Sequence, residues 1–544
     1  MKILKVSLTS LFFLGLLIVS CSSEISSSPP PVASSIREIT IDLTQELQTM
    51  DGFGASDAWR CQMVGKNWPI EKRNAIADLL FSKEVDAYGN PKGIGLSIWR
   101  FYLSSGSAEQ GSSSFISDEW RRGECFLKTD GTYDWTKQAG QRWFLQAAKS
   151  RGVEKFLAFT LTPPVQMTIN GKAFSSQNEN MNIKPGMLTN YADFLVETID
   201  NLQRNEGVTF DYLSPINEPQ WNWTAGSNGQ AGQEGTPATN QEMFDFTKLL
   251  SDKLKAKSLK TEIVLGEAGS INYLYENVNS ENRDDQINAF FGATSTNISQ
   301  LPNVRKTISG HSYFSVWPVS DQISYREKLN NRVKQMGNLK YWQTEYCILE
   351  QPGAAEIPGG SGQQRDLGIK TALFVSRIIH NDIAVANASS WQWWTALTRA
   401  DYKDGLIYLD DGSNNGSINS SEYCKYDGYY RESKLLWALG NYSFFVRPGM
   451  IRVQIPNQNA VLASTDVMMT AYKDVAKKKL VVVAVNYGET SRAYKLNLSS
   501  NLKNKELTPY VTSETSNLKK GSNVKSDNFE IPARSIVTYI GEYN

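Results

Sequence analysis

The chain has 544 residues, 40% of them hydrophobic, with 56 basic side chains against 56 acidic ones. That length suits one large domain plus a smaller one, and zero net charge removes any general electrostatic case for a nucleic-acid partner. Only two histidines, His311 and His380, stand beside 14 Trp and 24 Tyr; a catalytic zinc site usually draws on several histidines, so no metal or other cofactor is expected, whereas flat rings with polar edges suit a carbohydrate.

The first segment reads as an address. Lys2 and Lys5 precede an unbroken apolar run over 11–19, too short to cross a membrane, which needs about 20 apolar residues. Ile18-Val19-Ser20-Cys21 resembles a bacterial lipobox. This predicts a signal peptide over 1–20, lipidation of Cys21 and a Ser/Pro-rich tether over 21–35. The expectation is an exported bacterial lipoprotein at the outer membrane, periplasm or cell surface, monomeric, touching the membrane only through its lipid. Cys61, Cys125, Cys347 and Cys424 are then left, open to three pairings or to four separate buried thiols.

Residues 37–43 alternate polar and apolar, the pattern of a half-buried strand. Buried-strand candidates follow at 52–56, 95–101, 156–161, 212–217, 263–267, 307–312, 341–345 and 389–393. Amphipathic helices lie between most of them: Tyr191, Leu195, Ile199 and Leu202 share one helical face, as do Met243, Phe246, Leu250 and Leu254. This alternation predicts an α/β fold, a (β/α)₈ TIM barrel over 49–446. A doubly wound sheet is the alternative, but no Gly-rich phosphate loop follows the first strand. Beyond Arg447-Pro448-Gly449 the texture changes to short β-rich runs, 461–472, 480–487, 493–498 and 536–540. They predict an antiparallel β-sandwich over 447–544, joined by the N-terminal strand over 36–48.

In such a barrel the chemistry gathers at the C-terminal ends of the strands. There the sequence places Asp57 and Trp59 after strand 1, Arg100 on strand 2, Asn217-Glu218-Pro219 after strand 4, Glu267 on strand 5, His311 and Tyr313 after strand 6, and Glu345 on strand 7. Carboxylates, aromatics and amides dominate, an inventory that suits glycoside hydrolysis by a carboxylate pair. Trp221 and Trp223, just beyond Glu218, are candidate stacking platforms for sugar rings. A glycan-binding protein without catalysis would use the same aromatics but would not need both Glu218 and Glu345.

Asn-Glu-Pro after the fourth strand with a Glu ending the seventh resembles the clan A retaining glycosidases. Asp51-Gly52-Phe53-Gly54-Ala55-Ser56, Thr162-Pro163-Pro164, and the run 436–443 leading to Arg447-Pro448-Gly449 resemble glycoside hydrolase family 30 more specifically. The resemblance implies that Glu218 is the acid/base and Glu345 the nucleophile, with Asn217 on the sugar 2-hydroxyl. It also implies Tyr313 and Arg100 beside Glu345, and Trp391, Trp393 and Trp394 as walls of the sugar site. Asp57, Trp59 and His311 are further candidate contacts. The opening run 54–59 looks most similar to the endo-β-1,6-galactanase branch, with xylanase, β-1,6-glucanase and exo-β-glycosidase as alternatives. Leu161 and Gln166 depart from the pattern, standing where the family resemblance leads one to expect Trp.

Overall fold

Eight parallel strands close into a barrel in chain order in the computed structural model. It describes residues 36–176, 179–278, 282–349, 356–413, 421–456, 458–499 and 502–544. The expected leader, the expected lipidation site Cys21 and the expected tether therefore lie outside the described residues. The barrel strands are Gly52–Ser56, Ile98–Tyr102, Lys155–Phe159, Tyr212–Ser214, Glu262–Ala268, Val304–His311, Lys340–Glu345 and Ser390–Trp393. The eighth pairs with the first, Phe53 opposite Trp391, which closes the ring. Strand 4 stops at Ser214, just before Pro215, which lacks the N–H that a sheet ladder requires.

The helices follow the spacing of their apolar residues. Leu188–Glu206 buries Tyr191, Leu195, Ile199 and Leu202, and Asn240–Ala256 buries Met243, Phe246, Leu250 and Leu254. The second begins at a capping box: the Thr239 side chain accepts from the Glu242 N–H while Glu242 reaches back to the Thr239 N–H. That satisfies two donors a helix start would otherwise leave unpaired.

A second sheet packs on the barrel's flank. Its order is Ser516–Lys520, Glu506–Ser513, Ser535–Glu542, Lys479–Asn486, Val467–Asp474, Ile451–Gln454, Arg37–Thr49, Arg492–Leu498 and Phe529–Ile531. Arg37–Thr49 links its two halves. Residues 37–41 run parallel to 494–498, and the later part pairs antiparallel with Ile451–Gln454 across two register shifts. Lys479–Asn486 shows why this region reads as apolar. Val481, Val483 and Val485 join the core shared with the barrel, whereas Leu480, Val482 and Ala484 face the sandwich interior. Alternation along a strand sends these sets to opposite sides, and both sides are covered. Asn441, on the helix Lys434–Ser443, ties the two parts by donating to the Tyr510 carbonyl at 3.1 Å and to Thr538 Oγ1 at 3.0 Å. Residues 36–544 form one compact unit.

Two local readings change. The expected strand over 461–472 begins only at Val467; Ala460–Ala463 is a short helix whose N-cap Asn459 accepts from the Leu462 N–H at 3.0 Å. The side-chain cap offers that backbone a partner no neighbouring strand supplies. A three-stranded sheet of Thr395–Thr398, Gly405–Asp410 and Tyr429–Glu432 also extends beyond barrel strand 8. Cys61, Cys125, Cys347 and Cys424 are free and buried. Among the described residues, no helix is long and apolar enough to cross a membrane.

Candidate active site

The C-terminal mouth of the barrel concentrates charge in a way its walls do not. Arg100, on strand 2, is fully buried and stacks over Phe159 at 3.8 Å. Its guanidinium donates to Glu345 Oε2 at 2.5 Å, Glu267 Oε2 at 3.0 Å and Asn217 Oδ1 at 3.2 Å. One rigid cation thus draws together the ends of strands 4, 5 and 7. Tyr313 donates its hydroxyl to Glu345 Oε1 at 3.1 Å. Glu345 therefore has a donor on each oxygen, Arg100 on Oε2 and Tyr313 on Oε1.

Glu218 sits in a different setting. His311 Nδ1 lies 2.8 Å from Glu218 Oε1, and His311 Nε2 lies 2.8 Å from Glu267 Oε2. The ring also stands 3.7 Å from Glu345 Oε1. A neutral imidazole donates through one nitrogen only. Burial pushes His311 down, but the charges of Glu345, Glu218 and Glu267 outweigh it and raise the ring to about 10. The ring is thus an imidazolium at neutral pH, donating from both nitrogens. Burial raises Glu218 above the ordinary carboxylate range, with the His311 contact opposing it. Burial also works to raise Glu267, yet Arg100 and the His311 hydrogen bond prevail and bring it down to about 2. Thr344 Oγ1 completes the set around Glu267 at 2.9 Å.

The backbone is strained at both of these carboxylates: Glu218 and Glu267 each have φ 45°. Non-glycine residues seldom adopt this left-handed region unless their surroundings fix them there. The Glu218 N–H donates to the Glu267 carbonyl at 2.8 Å, so the two strained positions support each other.

Glu218, His311 and Glu345 bring possible ligand atoms within 4.8 Å of one another. This set does not fit a metal site. Its one nitrogen donor faces a carboxylate and holds a proton, and Arg100 already supplies positive charge to Glu345.

Other expected contacts are distributed differently. Trp391 and Trp393 are fully buried, their indole N–H groups donating to Asp382 Oδ2 at 2.9 Å and the Asp404 carbonyl at 2.8 Å. Neither ring offers a face to a sugar. Trp394 instead packs edge-on against Trp59, ring centroids 5.2 Å apart. Asp57 also turns inward: it is fully buried and accepts from the Tyr102 N–H at 2.8 Å, pinning strand 2 to strand 1. Trp223 donates to the Glu218 carbonyl at 3.0 Å. Trp221 meets Tyr273 and Phe314 edge-on. Phe314, 54% exposed beside Tyr313, is a rim aromatic that sequence reasoning passed over; its one signal was adjacency to Tyr313. Leu161 is buried, and Gln166 donates to the Leu127 carbonyl at 2.9 Å.

Comparison with known proteins gives this geometry a family. The model of O-glycosyl hydrolase family 30 matches residues 36–408. An endo-β-1,6-galactanase of Hypocrea rufa is 23% identical over 464 residues, covering 83% of this chain and 81% of its own. A conserved exported protein of Bacteroides fragilis superposes with a TM-score of 0.86 at 35% identity, over 93% of this chain and 100% of that one. The catalytic domain of a family 30 xylanase from Talaromyces cellulolyticus shares the fold, with a TM-score of 0.64 at 20% identity over 93% and 100% of the two chains. The chain belongs to glycoside hydrolase family 30 and is a glycoside hydrolase.

Proposed function

We propose that this chain is a retaining β-glycosidase acting on a β-1,6-linked galactan, with Glu345 as nucleophile and Glu218 as acid/base. One observation carries the retaining mechanism: carboxylate oxygens of Glu218 and Glu345 lie within 4.8 Å of each other. Retaining pairs stand about 5–5.5 Å apart, whereas inverting pairs leave roughly 6.5–9.5 Å for a water between them. The galactan assignment rests on the similarity to the Hypocrea rufa enzyme.

In the first step Glu218 passes its proton to the glycosidic oxygen as the bond to the anomeric carbon breaks. Glu345 attacks that carbon from the opposite face and forms a glycosyl ester. In the second, Glu218 takes a proton from water, the water oxygen attacks the same carbon, and Glu345 leaves as the carboxylate. Two inversions restore the original configuration. Arg100 and Tyr313 hold the two oxygens of Glu345, so the attacking group is oriented before substrate arrives. His311 occupies Oε1 of Glu218 and leaves Oε2 to carry the transferable proton. Asn217, aligned by Arg100, is the proposed donor to the sugar 2-hydroxyl.

Lipidation of Cys21 after removal of residues 1–20 belongs to the same proposal, because a polymer too large to enter a cell must be met outside it. Metabolic labelling with a fatty acid, lost in Cys21→Ala, tests that part. Reducing-sugar release from β-1,6-galactan, β-1,6-glucan and xylan tests the activity. Glu345→Gln should cost about 5 kcal/mol of barrier, or roughly 10⁴-fold in rate. Cleavage of another of these polymers would reassign the linkage. Binding without cleavage would support a glycan-binding role instead.

A further inference from the structure

Outside the catalytic centre the exposed aromatic rings are unevenly placed. Among the described residues four tyrosines are exposed, and three of them fall on one short stretch: Tyr423 at 48%, Tyr426 at 65% and Tyr429 at 54%. Tyr423 and Tyr426, three apart in the helix Ser421–Tyr426, share one helical face. Tyr429 opens the strand Tyr429–Glu432. The stretch lies in the connection after barrel strand 8, at the same end as the catalytic mouth. There Lys425 Nζ reaches Glu119, in the connection after strand 2, at 2.6 Å.

The backbone of this stretch is held from beneath. Asn67 Nδ2 donates to the Lys425 carbonyl at 2.8 Å and Trp68 Nε1 to the Cys424 carbonyl at 2.7 Å. Lys72 Nζ donates to Asp427 Oδ1 at 2.6 Å and to the Gly428 carbonyl at 2.7 Å. Gly428 lies directly on buried Trp68, so that a Cβ there would stand 2.7 Å from the indole ring. Lys72 also sits over the Tyr429 ring, 5.2 Å from its centroid. Tyr429 is thus fixed by its neighbours, whereas Tyr423 and Tyr426 are presented to solvent on an anchored helix. The surrounding charges are paired, Lys72 with Asp427 and Lys425 with Glu119 and Glu422. These residues leave no excess positive charge to attract an anion.

We infer that Tyr423 and Tyr426 form a second glycan-binding site, which stacks on uncharged sugar rings of a substrate chain outside the catalytic centre. A phenol ring has an apolar face and a hydroxyl edge, as a sugar ring does. Tyrosine also offers this contact area at a small cost in conformational entropy. A protein partner would bury about 800 Å² on this side, more than a helix of six residues presents. The inference rests on the glycosidase reading and adds a second hold on the polymer, which raises the chain's effective concentration at the mouth.

Hydroxyl-radical footprinting of wild type with β-1,6-galactan, β-1,6-glucan or xylan reads the site without reference to catalysis. Labelling of Tyr423 and Tyr426 should fall severalfold with one of these polymers, while Tyr88, the exposed tyrosine outside the stretch, keeps its labelling. Unchanged labelling of both residues with all three polymers would overturn the site, whether or not any polymer is cleaved. Kinetics supply a second arm. On the polymer that wild type cleaves, Tyr423→Ala/Tyr426→Ala should raise KM about tenfold, as expected for the loss of two ring contacts. Its kcat/KM on a trisaccharide of the same linkage should match wild type. An unchanged KM on the polymer would overturn the site, as would an equal loss on the trisaccharide in a variant whose circular dichroism matches wild type. Protection without cleavage would uphold the tyrosine site and overturn the linkage assignment; cleavage without protection would do the reverse.

Discussion

The barrel mouth and the flanking sheet solve opposite problems. In the sheet, Lys479–Asn486 buries valines on both faces, and apolar burial itself supplies the stability. At the mouth, Arg100, Glu218, Glu267, His311 and Glu345 are almost as deeply buried, yet each is charged or titratable. Desolvating them is unfavourable, and they persist because every charge faces an opposite one at hydrogen-bond distance. The sheet tolerates exchange of one apolar group for another of similar size. The mouth does not, because removing one partner strands another.

The sharpest way to break this contrast is at the acid/base. Glu218→Ala should reduce hydrolysis of an unactivated glycoside by roughly 10²–10⁴-fold. An aryl glycoside whose phenol leaves without a proton should be cleaved with a far smaller loss in the first step. Steady-state rates on the two substrates measure the split; equal losses would remove Glu218 from the acid role.

Glu267→Gln comes next. Glu267 touches no reacting atom and acts by positioning His311, which faces Glu218, Glu267 and Glu345. With the negative charge gone, His311 gives up its proton more readily, and Glu218 loses a cation that favours its ionised form. The protonated acid should then persist to higher pH, so the alkaline limb of the pH–rate profile moves upward while kcat falls. A purely structural role would lower the rate and leave the limb in place.

On the other side of the comparison, Ile536→Ala opens a cavity where Ser535–Glu542 meets the barrel core. It should cost about 2–5 kcal/mol of stability, read as a lower denaturation midpoint. kcat should be unchanged while the protein stays folded, since no link of the charge network passes through that residue.

The two regions were also unequally legible. Barrel strands stood out because both faces of each are covered, which leaves compact apolar runs bounded by turns. Strand ends then nominated Glu218, Glu267, His311 and Glu345 by position alone. Side-chain direction was harder. Ser390–Trp393 could have been read by its alternation: Gln392 approaches Gly54 inside the ring, so Trp391 and Trp393 point the other way, Trp391 onto Asp382 of the helix Ile369–Ala384 and Trp393 onto the Asp404 carbonyl. Asp57 misled because a carboxylate after a strand resembles a ligand group, and only the structure shows it turned onto the Tyr102 N–H. The sandwich strands Glu506–Ser513 and Ser516–Lys520 escaped notice because polar residues, half-buried in the first and mostly exposed in the second, dilute the period-two signal.

The central claim is double displacement through Glu345, and stereochemistry tests it most directly. Proton NMR of the first product released from a β-linked oligosaccharide, recorded before mutarotation, distinguishes the two anomers. The account predicts that the β-anomer appears first; initial release of the α-anomer would contradict it.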